Sequence, residues 1–386
     1  MPAAPASPAV ASLQDVAADA RHWLLEVAAP LWSTVGRSPK GLFAERLTRA
    51  GAADDAPRRL FVQARHTYSF CEMGRLGWAG PWRELAGATV DYLLAHGRRA
   101  DGLFIHSFTT DGAVLDARAD LYDQAFMLFC LGHAAAALER PELLAVAADH
   151  IKVLEADHLH PAGGFVEKDV PRPFRHQNPH MHFFEAFSAL YALSGQPQWK
   201  ARAETMAGLC RDHFIDGASG ALTEYFTEDL QPAPGRDGII VEPGHCFEWA
   251  WLFEGLVPWG WPGAEVSDRL TAFGRAHGID PVRGVAINEV TTAGAVVKAT
   301  ARLWPQTERL KVALARLRRL GTREEADEAR RAYAGLKLYL DMPVPGTWQD
   351  VSNPDGSWVD MPAPGSSLYH ITCALAELLD TVEGRR

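Results

Sequence analysis

Gly102-Leu103-Phe104 opens a motif that returns as Gly41-Leu42-Phe43, Gly164-Phe165-Val166, Gly220-Ala221-Leu222, Gly284-Val285-Ala286 and Gly346-Thr347-Trp348. The spacing is about 56 to 64 residues, the signature of a repeat architecture. Two helix-like stretches separate consecutive motifs. One is apolar almost all round, as in Phe126-Met127-Leu128-Phe129-Cys130-Leu131, and must be buried on most sides. The other is amphipathic, as in Arg323-Glu324-Glu325-Ala326-Asp327-Glu328, with a solvent face. Inner helix, outer helix and hairpin, six times over, close most naturally into a ring with the hairpins at one end.

The inner series is expected at about 65–78, 120–138, 179–194, 244–257, 305–320 and 366–382, and the outer series at about 12–31, 81–96, 141–158, 197–213, 263–277 and 323–341. The stretch 305–320 is basic and fits the inner pattern least well. Residues 1–11, rich in Ala, Pro and Ser, read as a disordered N-terminus, and 12–386 as one closed catalytic domain.

A formal charge of −10 without any Lys/Arg run excludes nucleic acid and anionic membranes as partners. No basic segment leads an apolar core at the N-terminus, and no apolar run approaches about 18 residues. The five cysteines lack CxxC spacing and fit free thiols in a reducing cytoplasm.

The starts of the inner helices carry the unusual residues. In Asn178-Pro179-His180-Met181-His182, Asn178 reads as an N-cap and Pro179 as the first helical position. Arg65, Tyr122, His182, His245, Trp304 and His370 are spaced by 57, 60, 63, 59 and 66 residues, so each is expected at an equivalent place in its unit, converging on one mouth. Histidines facing one carbon can remove a proton and return it, and an arginine can hold the oxyanion that develops. Trp304 and Tyr122 offer flat faces to a sugar ring, and Asn178 and Glu248 hydrogen-bond to hydroxyls. Any one histidine alone is more often a structural one, and His66, His96, His106, His133, His150, His158, His160, His213 and His277 are read so.

No metal and no cofactor is expected. His176 and His180 have ligand spacing only if a helix runs through them, and Pro179 argues against that. HExxH, P-loop and GxSxG motifs are absent. Asp123, Glu248 and Glu308 could approach the mouth as glycosidase-like carboxylates, without a defined separation.

Together these residues resemble the N-acylglucosamine 2-epimerase family over essentially the whole chain. The resemblance rests on Arg65-His66-Thr67-Tyr68-Ser69-Phe70, Asp120-Leu121-Tyr122-Asp123, Asn178-Pro179-His180-Met181-His182 with Glu185-Ala186, Pro243-Gly244-His245 with Glu248-Trp249, Trp304-Pro305-Gln306 with Glu308, and Tyr369-His370. It implies an all-α (α/α)6 barrel with short β-hairpins at one end, and metal-independent chemistry at C1 and C2 of a reducing sugar. It implies His245 and His370 as the acid/base pair, with His182 assisting. Arg65, Tyr122, Asn178, Glu248 and Trp304 match substrate-holding positions, and the partner is a monosaccharide bound by a monomer or homodimer. Pro362-Ala363-Pro364-Gly365-Ser366-Ser367-Leu368-Tyr369-His370 is most similar to the mannose isomerase branch. Gly365 and Ser366 stand where cellobiose 2-epimerases carry a tryptophan platform. The expected activity is interconversion of D-mannose and D-fructose, with D-lyxose and D-xylulose as a second pair, through an enediolate. A 2-epimerase of the N-acylglucosamine or cellobiose type stays open as an alternative. So do an (α/α)6 glycoside hydrolase and a non-catalytic sugar binder.

Overall fold

The computed structural model describes residues 8–35, 37–38 and 40–385. Of the stretch expected to be disordered, residues 1–7 lie outside the described residues, and Pro8–Ala11 form one helical turn. In chain order, α1 (Gln14–Arg21) runs through a π-helical segment, His22–Ala28, into Ala29–Thr34. Then come α2 (Leu60–Arg75), α3 (Trp82–His96), α4 (Leu121–Ala137), α5 (Glu142–His158) and α6 (Gln177–Ser194). After these follow α7 (Pro197–Leu209), α8 (Pro243–Leu256), α9 (Gly263–His277), α10 (Trp304–Leu320), α11 (Arg323–Leu340) and α12 (Ser366–Glu383).

The even-numbered helices from α2 to α12 form the inner ring, each packed on the next and α12 on α2. Each inner helix also packs against the outer helix that follows it, and α12 packs against α1, which completes the outer ring. This is the (α/α)6 barrel. Short antiparallel ribbons stitch one unit to another around the mouth. Arg58–Arg59 pairs with Ser107–Phe108, Ile240–Val241 with Glu289–Thr291, and Arg46–Leu47 with Ala363–Pro364. Among the described residues, no helix is long and apolar enough to cross a membrane.

All six motif glycines, at 41, 102, 164, 220, 284 and 346, have φ between 69° and 90°, a left-handed turn that glycine adopts without steric cost. Behind four of them an inner-helix side chain clasps the returning backbone. Gln124 accepts from the Phe104 amide at 2.9 Å and donates to its carbonyl at 2.9 Å. Gln63 does the same at Phe43, and Gln306 at Ala286. In the third unit His180 accepts from the Phe165 amide through Nε2. Gln124→Ala would strand a buried N–H and C=O together. It is expected to destabilise the protein by about 2–4 kcal/mol, readable from the midpoint of urea unfolding.

The clasp also corrects the expectation of equivalent places. Arg65 and His182 stand two residues after their clasp residues, and Tyr122 and Trp304 two before. Positions two before and two after are four apart, so they share a helix face one turn apart. The period therefore brings these side chains to the axis at two levels rather than one.

Three local expectations need correction. α2 begins at Leu60, five residues before the expected start, because its cap is tertiary: the Phe61 amide donates to Asp123 Oδ1 of α4 at 3.0 Å. Asn178 is not the N-cap of α6. The helix already includes Gln177, and Pro179 sits within the first turn, where its missing N–H costs nothing. The basic stretch in α10 is inner after all, because its charges find buried carboxylates, on its own helix and on the outer helix packed behind it. Arg309 pairs with Glu328 at 2.7 Å and Lys311 with Glu308 at 2.5 Å.

Candidate active site

Gly244-His245 opens α8 directly behind Pro243, and Trp304-Pro305 opens α10, so proline at the first turn places His245 and Trp304 at the mouth end of their helices. The Trp304 ring lies between two histidines, its centroid 4.9 Å from that of His245 and 5.8 Å from that of His370. Beside His370, Arg65 donates to the Tyr122 hydroxyl at 2.7 Å and to the Ser366 carbonyl, one turn before His370, at 3.3 Å. Its guanidinium lies over Phe126 and Tyr369, at 4.2 and 4.7 Å from the ring centroids. Tyr122 meets the His182 ring edge-on at 4.9 Å.

Each of the three histidines holds a carboxylate through Nδ1. His182 binds Glu185 at 3.1 Å, His245 binds Glu224 at 3.0 Å, and His370 binds Glu308 at 2.9 Å. Such a bond fixes the tautomer and turns the other ring nitrogen, Nε2, away from the carboxylate. Ligand-type atoms of His182, Glu185 and Glu248 lie within 4.8 Å of one another, as do those of Glu248, Glu308 and His370. Glu248 is thus common to both clusters. A third set joins Glu224, Glu242 and His245. These are the positions at which a cation could be held. In each set one carboxylate already accepts from a histidine. The His176/His180 pair is removed for a reason other than Pro179, since both His180 nitrogens are engaged, Nε2 by the Phe165 amide and Nδ1 by the His176 carbonyl.

The three imidazoles sit in unlike electrostatic surroundings. Burial opposes charge on His245, but Glu224 and Glu242 outweigh it and push the ring up to about 10. Burial drives His370 well below the ordinary range, and the Arg65 and Lys311 charges press it further. Burial takes His182 down to about 4 against the pull of Glu185. Neighbouring groups driven apart in this way are suited to separate acid and base roles. Burial, with Glu308 close by, also pushes the Glu248 carboxyl well up.

Two further residues singled out in the sequence hold oxygens without a protein partner. Asn178 Oδ1 and Glu248 Oε1 are buried and unbonded, which suits them to hydroxyl donors. Asn178 lines a cavity of about 240 Å³ with Tyr122, Phe61, Arg59, His106 and Arg172. His245, Trp304 and His370 do not line that cavity. Of the carboxylates weighed as glycosidase-like, Glu248 and Glu308 come together. Asp123 is occupied in capping α2 and holding His106 at 2.7 Å. Sequence reasoning missed Glu224 and Lys311, gave Glu185 no role, and weighed Glu308 only as a glycosidase-like carboxylate, not as the partner of His370. Glu224 follows the motif Gly220 by four residues, and Glu308 follows Trp304 by four, the only local signals they leave.

Gly244 keeps this arrangement tight. A Cβ there would come within 2.5 Å of the Trp304 ring and 3.0 Å of Pro305 Cβ. Gly244→Ala should therefore displace Trp304 from between the histidines. The expected result is a fall of about 10²-fold in kcat/KM with the helical signal retained, measured by steady-state kinetics and circular dichroism.

A sequence profile of the N-acylglucosamine 2-epimerase (GlcNAc 2-epimerase) family matches residues 41–374. The chain is 41% identical over 374 residues to a mannose-6-phosphate isomerase of Rhizobium meliloti (strain 1021), covering 94% of this chain and 96% of that protein. It is 26% identical over 381 residues to a D-mannose isomerase of Thermobifida fusca, covering 85% and 90%. The fold superposes on the cellobiose 2-epimerase of Spirochaeta thermophila DSM 6192 with a TM-score of 0.84 at 23% identity, over 97% of this chain and 98% of that one. The chain therefore belongs to the N-acylglucosamine 2-epimerase family and is a sugar-epimerising or sugar-isomerising enzyme.

Proposed function

We propose that the protein is an aldose–ketose isomerase that interconverts D-mannose and D-fructose, with D-lyxose and D-xylulose as a second pair. The observation that carries this reading is the unlike histidine pair flanking Trp304, His370 held neutral and His245 held charged. In this reading the open-chain sugar stacks on Trp304. Neutral His370, its Nδ1–H given to Glu308, takes the C2 proton through Nε2. Charged His245 gives a hydrogen bond to the carbonyl oxygen O1, so the enediolate forms with its negative charge on O1, facing Arg65. His245 then passes its proton to O1 and takes the O2–H proton, while His370 returns its proton to C1, which gives the ketose and restores both histidines. His182, oriented by Glu185, assists ring opening, and Tyr122, Asn178 and Glu248 hold hydroxyls.

Two observations favour a free monosaccharide. The arginines of the cavity beside Tyr122 and Asn178 are already paired, Arg59 with Glu45 and Arg172 with Asp120 at 3.0 Å, so neither is a ready phosphate clamp. Gly365 has no room for a side chain, since a Cβ would lie 2.8 Å from His66 Nε2 and 3.0 Å from two backbone carbonyls. That position cannot carry a platform for a second sugar ring. Five free, buried thiols support a cytoplasmic setting.

The test is incubation of the protein with D-mannose in D2O, followed by proton NMR. Fructose formation with deuterium at carbon supports isomerisation through an enediolate. Unchanged mannose overturns the reading. The same assay on mannose 6-phosphate, N-acetylmannosamine and cellobiose then shows whether a phosphosugar isomerase or an epimerase replaces it.

A further inference from the structure

Lys311 is fully buried on the inner helix α10, one turn beyond Glu308, and no part of the sequence reading assigned it a role. Its Nζ lies 2.5 Å from Glu308 Oε2, in an ion pair outside hydrogen-bond geometry, and 3.8 Å from the centre of the Trp251 ring. The other oxygen of Glu308 holds His370 Nδ1 and accepts from Thr307 at 3.2 Å. An ammonium, a carboxylate and an imidazole are thus aligned through one residue. Trp251 also lines a cavity of about 750 Å³ at the opposite end of the barrel, so its ring stands at the edge of the wall between the ammonium and that space.

We infer that Lys311 is a positioning residue that keeps Glu308 ionised and thereby fixes the tautomer of His370 that can act as a base. The inference rests on the reading of His370 as the proton acceptor. An ionised Glu308 only accepts, so the His370 proton sits on Nδ1 and the Nε2 lone pair is free. A protonated Glu308 donates its O–H to Nδ1, the ring proton moves to Nε2, and no base faces the substrate.

The surroundings make that second state the default without the ammonium. The charged and titratable groups facing Lys311 are Glu308 on its own helix, Glu248 of α8, Glu185 of α6, and His370 and Cys373 of α12. Burial pushes the Glu308 carboxyl up and Lys311 pulls it down. Burial opposes charge on Lys311, but Glu308 and the other acidic neighbours outweigh it and keep the amine protonated. One cation among three buried carboxylates is the arrangement in which removing the cation moves the others most.

The experiment compares wild type, Lys311→Met, Glu308→Gln and the double variant, with kcat and KM for mannose measured across pH. Activity needs ionised Glu308, so it is lost as pH falls through that carboxyl, and Lys311→Met should move this acid limb upward. The expected result at neutral pH is a kcat lower by about 10²-fold with KM within about threefold, and partial recovery in more alkaline buffer. The double variant should be no slower than Glu308→Gln, because the lysine acts through that carboxylate. Nitrogen-15 NMR of His370 should show the proton leaving Nδ1 for Nε2 in Lys311→Met. An unchanged acid limb and kcat in Lys311→Met, or losses that multiply in the double variant, overturn the inference. Should Lys311→Met not fold, Glu308→Gln and the double variant, whose substitutions cancel in charge, make the same comparison. A wild type that isomerises no sugar defeats the functional reading alone, since the tautomer measurement still decides the role of Lys311.

Discussion

Alanine in place of His370 is expected to lower kcat for mannose isomerisation by about 10³- to 10⁴-fold, the upper range of what a positioned base supplies. The residue is 7% exposed, makes its polar contact with Glu308 at 2.9 Å, and stands in the first turns of α12 rather than in its middle. The loss should therefore fall on the chemical step and spare the fold, with helical content and KM close to wild type. Proton exchange at C2 of mannose in D2O should vanish together with fructose formation, because one base serves both. Exchange that persists at the wild-type rate would assign proton removal to another group, with His182 the next imidazole to test. A near-wild-type kcat would end the proposed mechanism.

Glu224→Gln should produce the second large effect, and it should appear as a displaced pH limb. The protonated form of His245 is needed, so activity is lost as pH rises through its pKa, about 10 in the intact protein. Burial alone would drive the ring below its ordinary value, and Glu224 is the largest of the influences that oppose burial. With glutamine there, the limb moves down. Each pH unit by which the limb falls below the assay pH costs about tenfold in kcat/KM, and the loss recovers on acidification. Glu224 accepts from Gln177 through Oε2 at 2.9 Å and from the Glu242 amide through Oε1 at 3.1 Å, and glutamine keeps one of these two acceptors, so circular dichroism of the variant accompanies the kinetics. A limb that stays near 10 would place the charge that matters on Glu242 instead.

The ring was legible because it is written in short-range terms. Glycines that need a positive φ recur at one period, and the apolar inner and charged outer stretches between them differ in pattern. The histidines were legible for the same reason, standing at helix starts marked by proline or by the repeat. Their partners were not. Glu224 reaches His245 from the hairpin of the preceding unit, and Glu308 reaches His370 across 62 residues. The early start of α2 depends on Asp123, also 62 residues away. Each such pairing crosses between neighbouring units, and one sequence carries no local mark of it. The basic face of α10 misled in a related way, since Lys311 and Arg309 look like a solvent surface until their buried carboxylates are in view.

The barrel is closed by contact, without a covalent join. α12 lies against α1, Arg21 pairs with Glu383 across 362 residues of chain, and Arg46–Leu47 meets Ala363–Pro364. Closure entropy grows with the length of chain enclosed, so this seam is the most expensive contact to form and a natural place for partial opening. His370 rides on the closing helix, while His182 and His245 belong to units in the middle of the chain. Unzipping the seam would separate the base from the acid while most of the helical hairpins stay intact. In rising urea, turnover should then disappear before ellipticity does, and a tether across Arg21 and Glu383 should bring the two transitions together.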